Sequence, residues 1–221
     1  MLLIKKYRIF IATFFVFSII TIVLFYSALS PKKTLPIYNP SDINPELVDS
    51  TVQYISNSHT IADFSFTNQN GEIITQKEYE GKIYVADFFF TTCGSICPKM
   101  TTNMVDIQST FLNNPKVMLL SHSVLPDIDD VAALKAYAKK NGVIDSKWNL
   151  VTGDKKEIYR MARQSYLAVK QGKPSELYDM VHTENFVLVD TKRRVRGFYD
   201  GTKNEEIQRL IEDIRWLYNE E

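Results

Sequence analysis

The sequence predicts an α/β domain, a mixed sheet flanked by helices, carried behind one N-terminal transmembrane helix. Three observations point there. An uncharged apolar run covers residues 9–29 (IFIATFFVFSIITIVLFYSAL), a strand-like stretch at 83–90 (IYVADFFF) leads straight into the chain's only two cysteines, and strand-type and helix-type segments alternate from there to the C-terminus.

About 20 apolar residues in helical rise span the hydrocarbon core of a bilayer, so 9–29 is a candidate anchor. A cleaved secretory signal has a shorter apolar centre of about 7–15 residues followed by a small-residue cleavage site, which favours an anchor that stays. Lys5, Lys6 and Arg8 place residues 1–8 in the cytoplasm, although Lys32 and Lys33 beyond the run soften that bias. The handful of residues before the run is too short for an Arg-rich mitochondrial presequence. The expected location is therefore a bacterial inner membrane, single-pass, with the C-terminal domain on the periplasmic side; the alternative is the mitochondrial inner membrane, facing the intermembrane space. Pro31, Pro36, Pro40 and Pro45 among polar residues make 30–58 an extended tether. Residues 59–221 then form one domain of ordinary size.

Within that domain, Ile61 to Phe66 alternates apolar with polar, Asn70-Gly71 signals a tight turn, and Glu72 to Thr75 returns as the second strand of a hairpin. Ile83 to Phe90 has no clean alternation, as expected of a central strand buried on both faces. A helix from about Cys97 to Leu112, a strand from Val117 to Val124 and a helix from Asp130 to Lys140 stopped by Asn141-Gly142 make a crossover unit. Trp148 to Val151 is a short strand, Asp154 caps a helix running to about Tyr166, Asn185 to Asp190 pairs with Arg194 to Tyr199, and a helix from about Asn204 to Tyr218 closes the chain. This order is that of a thioredoxin-like fold, with its chemistry at the carboxyl end of a central strand.

Composition narrows the functions. Of 221 residues, 45% are hydrophobic, and 26 basic residues balance 26 acidic ones. That balance lacks the electrostatic footprint of a nucleic-acid binder, so no nucleic acid is expected as a partner. Two cysteines four positions apart are not the framework of a disulfide-stapled miniature protein. In DFFFTTCGSICPKM the strand ends near Phe90, Thr91 or Thr92 is placed to cap, and Pro98 suits a first helical turn. Cys93 and Cys97 thus lie at a helix N-terminus, where the dipole favours thiolate over thiol. On one helical face, residues four apart present both sulfurs to one point, either a metal ion or a disulfide bond. The bland alternative, two buried small side chains or a staple over a very short loop, gains little, since so short a loop removes little chain entropy.

The segment from about His59 to Trp216 resembles the SCO/SenC family, thioredoxin-like copper-binding proteins tethered to the membrane that help build the CuA centre of cytochrome c oxidase. The resemblance is carried by Phe89-Phe90-Thr91-Thr92-Cys93-Gly94-Ser95-Ile96-Cys97-Pro98, by the ADFSFTNQNGEI hairpin and EGKIYV strand before it, and by WNLVTG and YDMVHTENFVLVD after it. It implies a copper site formed by Cys93, Cys97 and His182, the last in a loop just before a strand. Two thiolates suit Cu(I), and an added imidazole accommodates Cu(II) as well. Implied partners are the oxidase subunit that carries the CuA site, an upstream copper donor and the membrane. His59 and His122 have no motif support and are expected to be structural or solvated.

One departure from the family pattern lies in SVLPDIDD, where Leu125 replaces a customary aspartate. Asp129 survives as the matching acid. By resemblance it lies near the site and tunes the ligands, although Asp129 and Asp130 also suit plain helix capping. Lys192-Arg193-Arg194-Val195-Arg196 is a basic run in a predicted hairpin turn, either solvated surface or a docking patch for an acidic partner or anionic lipid. The function so implied is a copper metallochaperone rather than an enzyme in the strict sense. The alternative is a thiol–disulfide oxidoreductase with Cys93 and Cys97 as its redox pair, although thioredoxins use a two-residue spacer and a redox-only site needs no histidine. A third reading is a copper or redox sensor.

Overall fold

The computed structural model describes residues 7–29, 34–45, 48–168 and 183–220, without the side chains of 9, 27 and 28. The chain divides into two compact units, Met1–Thr34 and Leu35–Glu221.

The first unit holds one helix, α1 (Arg8–Leu29), whose large apolar side chains stand exposed. Among the described residues no helix is long and apolar enough to cross a membrane. The span predicted over 9–29 is thus matched by a helix in the same place, but a crossing of the membrane does not follow from the fold. Lys5, Lys6, Lys32 and Lys33, which set the predicted orientation, lie outside the described residues.

The second unit is built on a seven-stranded sheet in the order β2-β1-β5-β4-β3-β6-β7. Strands β3 (Ile83–Phe89), β4 (Val117–Ser123) and β5 (Trp148–Thr152) are parallel neighbours, buried at every position. Burial on both faces is why they lack a period-two pattern in sequence. The crossovers between them are α2 (Cys97–Thr110) and α3 (Val131–Asn141). Asp130 caps α3 by accepting the Ala133 N–H at 2.8 Å, and Gly142, in the left-handed region at φ 73°, ends it.

Antiparallel strands complete both sides. β1 (Ser65–Asn68) and β2 (Ile73–Thr75) form a hairpin beyond β5 around the predicted Asn70-Gly71 turn, with β1 starting four residues later than the Ile61 to Phe66 strand read from sequence. Its turn is held by the Asn68 carboxamide oxygen, which accepts the N–H groups of Asn70 at 2.9 Å and Glu72 at 3.0 Å. β6 (Asn185–Val189) pairs with β3, and β7 (Val195–Asp200) with β6. The amphipathic α5 (Asn204–Glu220) closes the chain and buries Ile207, Leu210, Ile214 and Leu217. The helix predicted from Asp154 to Tyr166 is shorter than expected: α4 (Lys155–Arg160) gives way to a π turn at Met161–Ser165.

Two cores flank the sheet. On one face α2, α3 and α5 cover Val85, Phe89, Leu119 and Trp148; on the other Phe64, Phe66, Tyr79, Met161 and Tyr166 cover Ala86, Phe88 and Leu120. Strand alternation assigns Val85, Asp87 and Phe89 to the first face.

The tether predicted over 30–58 needs correction from residue 35 onward, because the segment packs on the domain. Tyr38 bridges to Val195, with its N–H on the Val195 carbonyl at 2.9 Å, and Val48 and His59 are buried. The fastening comes from the basic run. Arg196 donates to the carbonyls of Pro36 at 2.9 Å and Leu35 at 2.8 Å while pairing with buried Asp190 at 2.9 Å. Arg193 donates to Ile61 O and pairs with Asp63 at 2.8 Å; Arg194 pairs with Asp190 at 2.7 Å. Arg193 and Arg196 therefore clamp the strap 35–62, and Arg194 supports the Asp190 that Arg196 shares, so these three arginines are committed within the domain rather than forming the solvated or docking patch read from sequence.

Candidate metal centre

The site begins where β3 ends. The Cys93 N–H bonds to the Phe90 carbonyl at 3.2 Å, turning the chain immediately after the strand. Helix α2 starts only at Cys97, with Ile96 at the capping position, Pro98 in the first turn, and no side-chain cap from Ile96. Neither threonine caps it, contrary to the sequence expectation, and Cys93 lies in the preceding turn rather than one helical turn up the same face. The sulfurs meet nonetheless, because the turn folds Cys93 back over the uncapped helix start, where free N–H groups favour negative charge.

Both cysteines are reduced and buried, with relative exposures of 8% for Cys93 and 2% for Cys97. Burial by itself would push the Cys93 thiol up. Hydrogen bonds from the Cys97 thiol, the Ser95 hydroxyl and the N–H groups of Cys97 and Ser95 outweigh it and bring Cys93 down to about 6. For Cys97 burial wins, and donation to the Cys93 sulfur together with the nearby negative charges of Cys93 and Asp87 holds its proton, raising it to about 12. The helix terminus was expected to acidify both thiols, but it ionises one at the expense of the other. Gly94 and Ser95 are exposed and leave an approach from solvent.

The next shell is a hydrogen-bonded latch. Asp129, fully buried in the loop after β4, accepts the Thr91 N–H at 3.1 Å and the hydroxyls of Thr91 and Ser123, each at 2.5 Å. Asp130 takes the capping role, so the two adjacent acids divide the duties that the sequence left open between them.

Below the cysteines, Asp87 accepts the Ser121 hydroxyl, whose oxygen receives the Trp148 indole N–H at 2.8 Å. Burial raises the Asp87 carboxyl to about 7, against the pull of Ser121. Beside them the Tyr137 and Thr101 hydroxyls share a 2.6 Å hydrogen bond, and Tyr137 is raised to about 12, first by burial. Neither Asp87 nor Tyr137 was singled out from sequence. An acid inside the apolar IYVADFFF was the available signal for Asp87; Tyr137 gave none.

Histidine placement separates the candidates. His59 is buried with Nε2 2.8 Å from the Ser165 carbonyl oxygen, and His122 lies in the core on the sheet face opposite the cysteines. Both are structural, as expected. His182 lies outside the described residues. Among the described residues no three His, Cys, Asp or Glu side chains form a group able to hold a metal ion, so the described donors are the two sulfurs. Two adjacent sulfurs, one readily ionised, fit a soft cation such as Cu(I).

The profile of the SCO1/SenC family matches residues 52–219. The chain belongs to the SCO1/SenC family. A relative from Bacillus subtilis (strain 168), the SCO1 protein homolog, is 31% identical over 160 residues, 72% of this chain and 82% of its own length. The crystal structure of a SCO1/SenC family lipoprotein from Bacillus anthracis str. Ames is similar at TM-score 0.64 and 33% identity, covering 72% of this chain and 95% of that one. Another SCO relative, Arabidopsis thaliana ScoI, solved with copper bound, is similar at TM-score 0.56 and 25% identity, covering 72% and 98%. Within this SCO1/SenC chain the matched region takes in the strand, the cysteine turn, the latch and the closing helix.

Proposed function

We propose that this SCO1/SenC chain is a membrane-anchored copper metallochaperone that assists assembly of the CuA centre of a cytochrome c oxidase. Copper is held by the thiolates of Cys93 and Cys97 and the imidazole of His182, with Asp129 steadying the turn that carries Cys93. The ion comes from an upstream donor and passes by ligand exchange to the oxidase subunit that carries CuA. The observation that carries this reading is the pair of hydrogen-bonded sulfurs at an uncapped helix start, one of them lowered to about 6. Solution of the Arabidopsis relative with copper bound supports the choice of metal. We further propose that α1 is an inner-membrane anchor, residues 1–8 cytoplasmic, the domain periplasmic. The positive residues before α1 support that orientation, and protease protection in spheroplasts tests it.

Reconstitution with Cu(I) followed by metal analysis tests the site. The expected content is about one copper per chain, lost in Cys93→Ala and Cys97→Ala and greatly weakened in His182→Ala. Full retention in the histidine variant removes His182 from the site; full retention in both cysteine variants ends the copper reading.

The unequal thiols favour a second reading, thiol–disulfide exchange with a partner. The Cys93 thiolate attacks a partner disulfide and forms a mixed disulfide, releasing one partner thiolate. Cys97 then gives up its proton and attacks the Cys93 sulfur, releasing the second partner thiol and leaving a Cys93–Cys97 disulfide. Two electrons and the Cys97 proton pass to the partner, whose first thiolate takes its proton from solvent. Partner reduction that persists in His182→Ala while copper transfer fails identifies both activities in one chain.

A further inference from the structure

The other face of the sheet holds a group that copper and thiol chemistry do not use. His122, on β4, is wholly buried, and neither ring nitrogen meets a side-chain hydrogen-bond partner among the described residues. Its cage is aromatic: Phe88 stacks on it with centroids 5.0 Å apart, and Tyr166, Phe66 and Phe64 meet it at 5.2, 5.6 and 6.3 Å. A buried imidazole so enclosed is tolerated only while neutral, because burial strips a charge of its solvation and the described rings around it offer no carboxylate to pair with it.

The titratable and charged groups on the surrounding elements are few. The 3-10 turn Gln76–Tyr79 offers Tyr79, β3 offers Tyr84, and α4 with its π turn offers Tyr159, Arg163 and Tyr166, while His59 reaches that turn through the Ser165 carbonyl. Burial raises Tyr79, Tyr84 and Tyr166, so they stay neutral in acid. Asp87 touches His122 only through its backbone carbonyl, its side chain being on the opposite face. Burial holds the His122 imidazole down to about 3, with that carbonyl pulling weakly the other way.

The cage has one weak wall. Tyr166 ends the π turn, its hydroxyl is 3.3 Å from the Tyr84 hydroxyl, and Leu167 follows at φ 55°, a left-handed conformation costly for a bulky side chain. The remaining walls are strand β3 and the β1 region, held by sheet pairing.

We propose that His122 is an acid-sensitive trigger: its protonation expels Tyr166 and the 161–168 turn from the second core while the cysteine face of the sheet stays folded. In the opened state the imidazole is hydrated and regains its ordinary affinity for a proton. Opening is therefore disfavoured above pH ~6.5 and favoured increasingly as pH falls below it, about tenfold in the opening constant per pH unit for one proton. On the proposed topology the pH sensed is that of the periplasm.

Hydrogen exchange of the full chain in detergent micelles, corrected for intrinsic exchange, reads this at the Tyr166 and Ala168 amides, which bond to Met161 O and Ala162 O. Between pH 6.5 and 4.5 the opening constant of 161–168 is expected to rise up to ~100-fold, while β3 and β4 stay protected. His122→Phe is expected to abolish that rise. Where His122→Phe does not fold, His122→Leu takes its place, and the wild-type profile decides by itself: a flat profile in the turn, or strands opening in step with it, overturns the proposal. An equal rise in the variant overturns it as well.

Discussion

Thr91 donates both its backbone N–H, at 3.1 Å, and its hydroxyl, at 2.5 Å, to the buried carboxylate of Asp129. This bidentate contact joins the turn before Cys93 to the loop after β4, and the Ser123 hydroxyl steadies the same carboxylate from the strand end. The position of the Cys93 sulfur is thus set by an acid 36 residues further along the chain.

Replacing Asp129 by Ala leaves three donors in a dry site without an acceptor. The expected loss is about 2–4 kcal/mol of stability by chemical denaturation, since buried groups left unpaired are penalised individually. Cu(I) affinity by chelator competition is expected to fall about 10–100-fold, as it does when a group that orients a ligand is removed. Asp129→Asn keeps one acceptor and is expected to fall between. Wild-type affinity in a folded Asp129→Ala protein would show that the latch serves folding alone.

Thiol reactivity is expected to separate the cysteines. With Cys93 lowered to about 6 and Cys97 raised to about 12, iodoacetamide at pH 7 should label Cys93 and spare Cys97. The labelling rate should climb through pH ~6 and level off above it, because the thiolate is the nucleophile. In Cys97→Ala the thiol donor to Cys93 is gone, so the midpoint should move up. Equal labelling at pH 7, read by peptide mass spectrometry, would contradict the asymmetry.

Most of the fold was legible because local signals and tertiary demands agree. Asn70-Gly71 did mark the hairpin, Gly142 did end α3, and IYVADFFF did become the strand buried on both faces. The errors fall where long-range partners decide. Proline content made 35–58 resemble a free tether, yet Arg193 and Arg196, more than 130 positions away, supply the donors that fasten its ends. Thr91 was placed to cap a helix, but Asp129 competes for it, and a hydrogen bond over that separation leaves no pattern in the chain. The cysteine pair was found by spacing, whereas its unequal thiols depend on where α2 begins, a boundary that composition does not resolve.

The strap depends on Arg196. Its guanidinium satisfies two strap carbonyls and half of the Asp190 pairing, so Arg196→Met is expected to cost about 3 kcal/mol, moderated because Arg194 still faces Asp190. Local release should also become visible. Chymotrypsin is expected to cut after half-buried Tyr38 in the variant and to spare that bond in the wild type, where Tyr38 is pinned to Val195. An unchanged cleavage pattern would mean that the arginine contributes to stability without holding the strap.

Asp87 and His122 occupy opposite faces of the sheet and oppose each other in pH dependence. Asp87 has its folded value raised from 3.8 to about 7, so the folded chain keeps a proton that the unfolded chain releases; that contribution is full at low pH and is lost as pH rises toward 7. His122 has its folded value lowered from 6.5 to about 3, so its contribution is full above pH ~6.5 and is lost as pH falls. Between pH ~4 and ~6.5 the two slopes cancel for global unfolding. Against wild type, Asp87→Asn should therefore add a tenfold rise in the unfolding constant for each pH unit of acidification, and His122→Phe a tenfold rise for each unit of increase, about one proton apiece. Contributions from exposed carboxylates are common to all variants and drop out of these differences, measured by urea denaturation. The double variant should track the wild-type profile in shape, and a slope of the same sign in both single variants would refute the opposition.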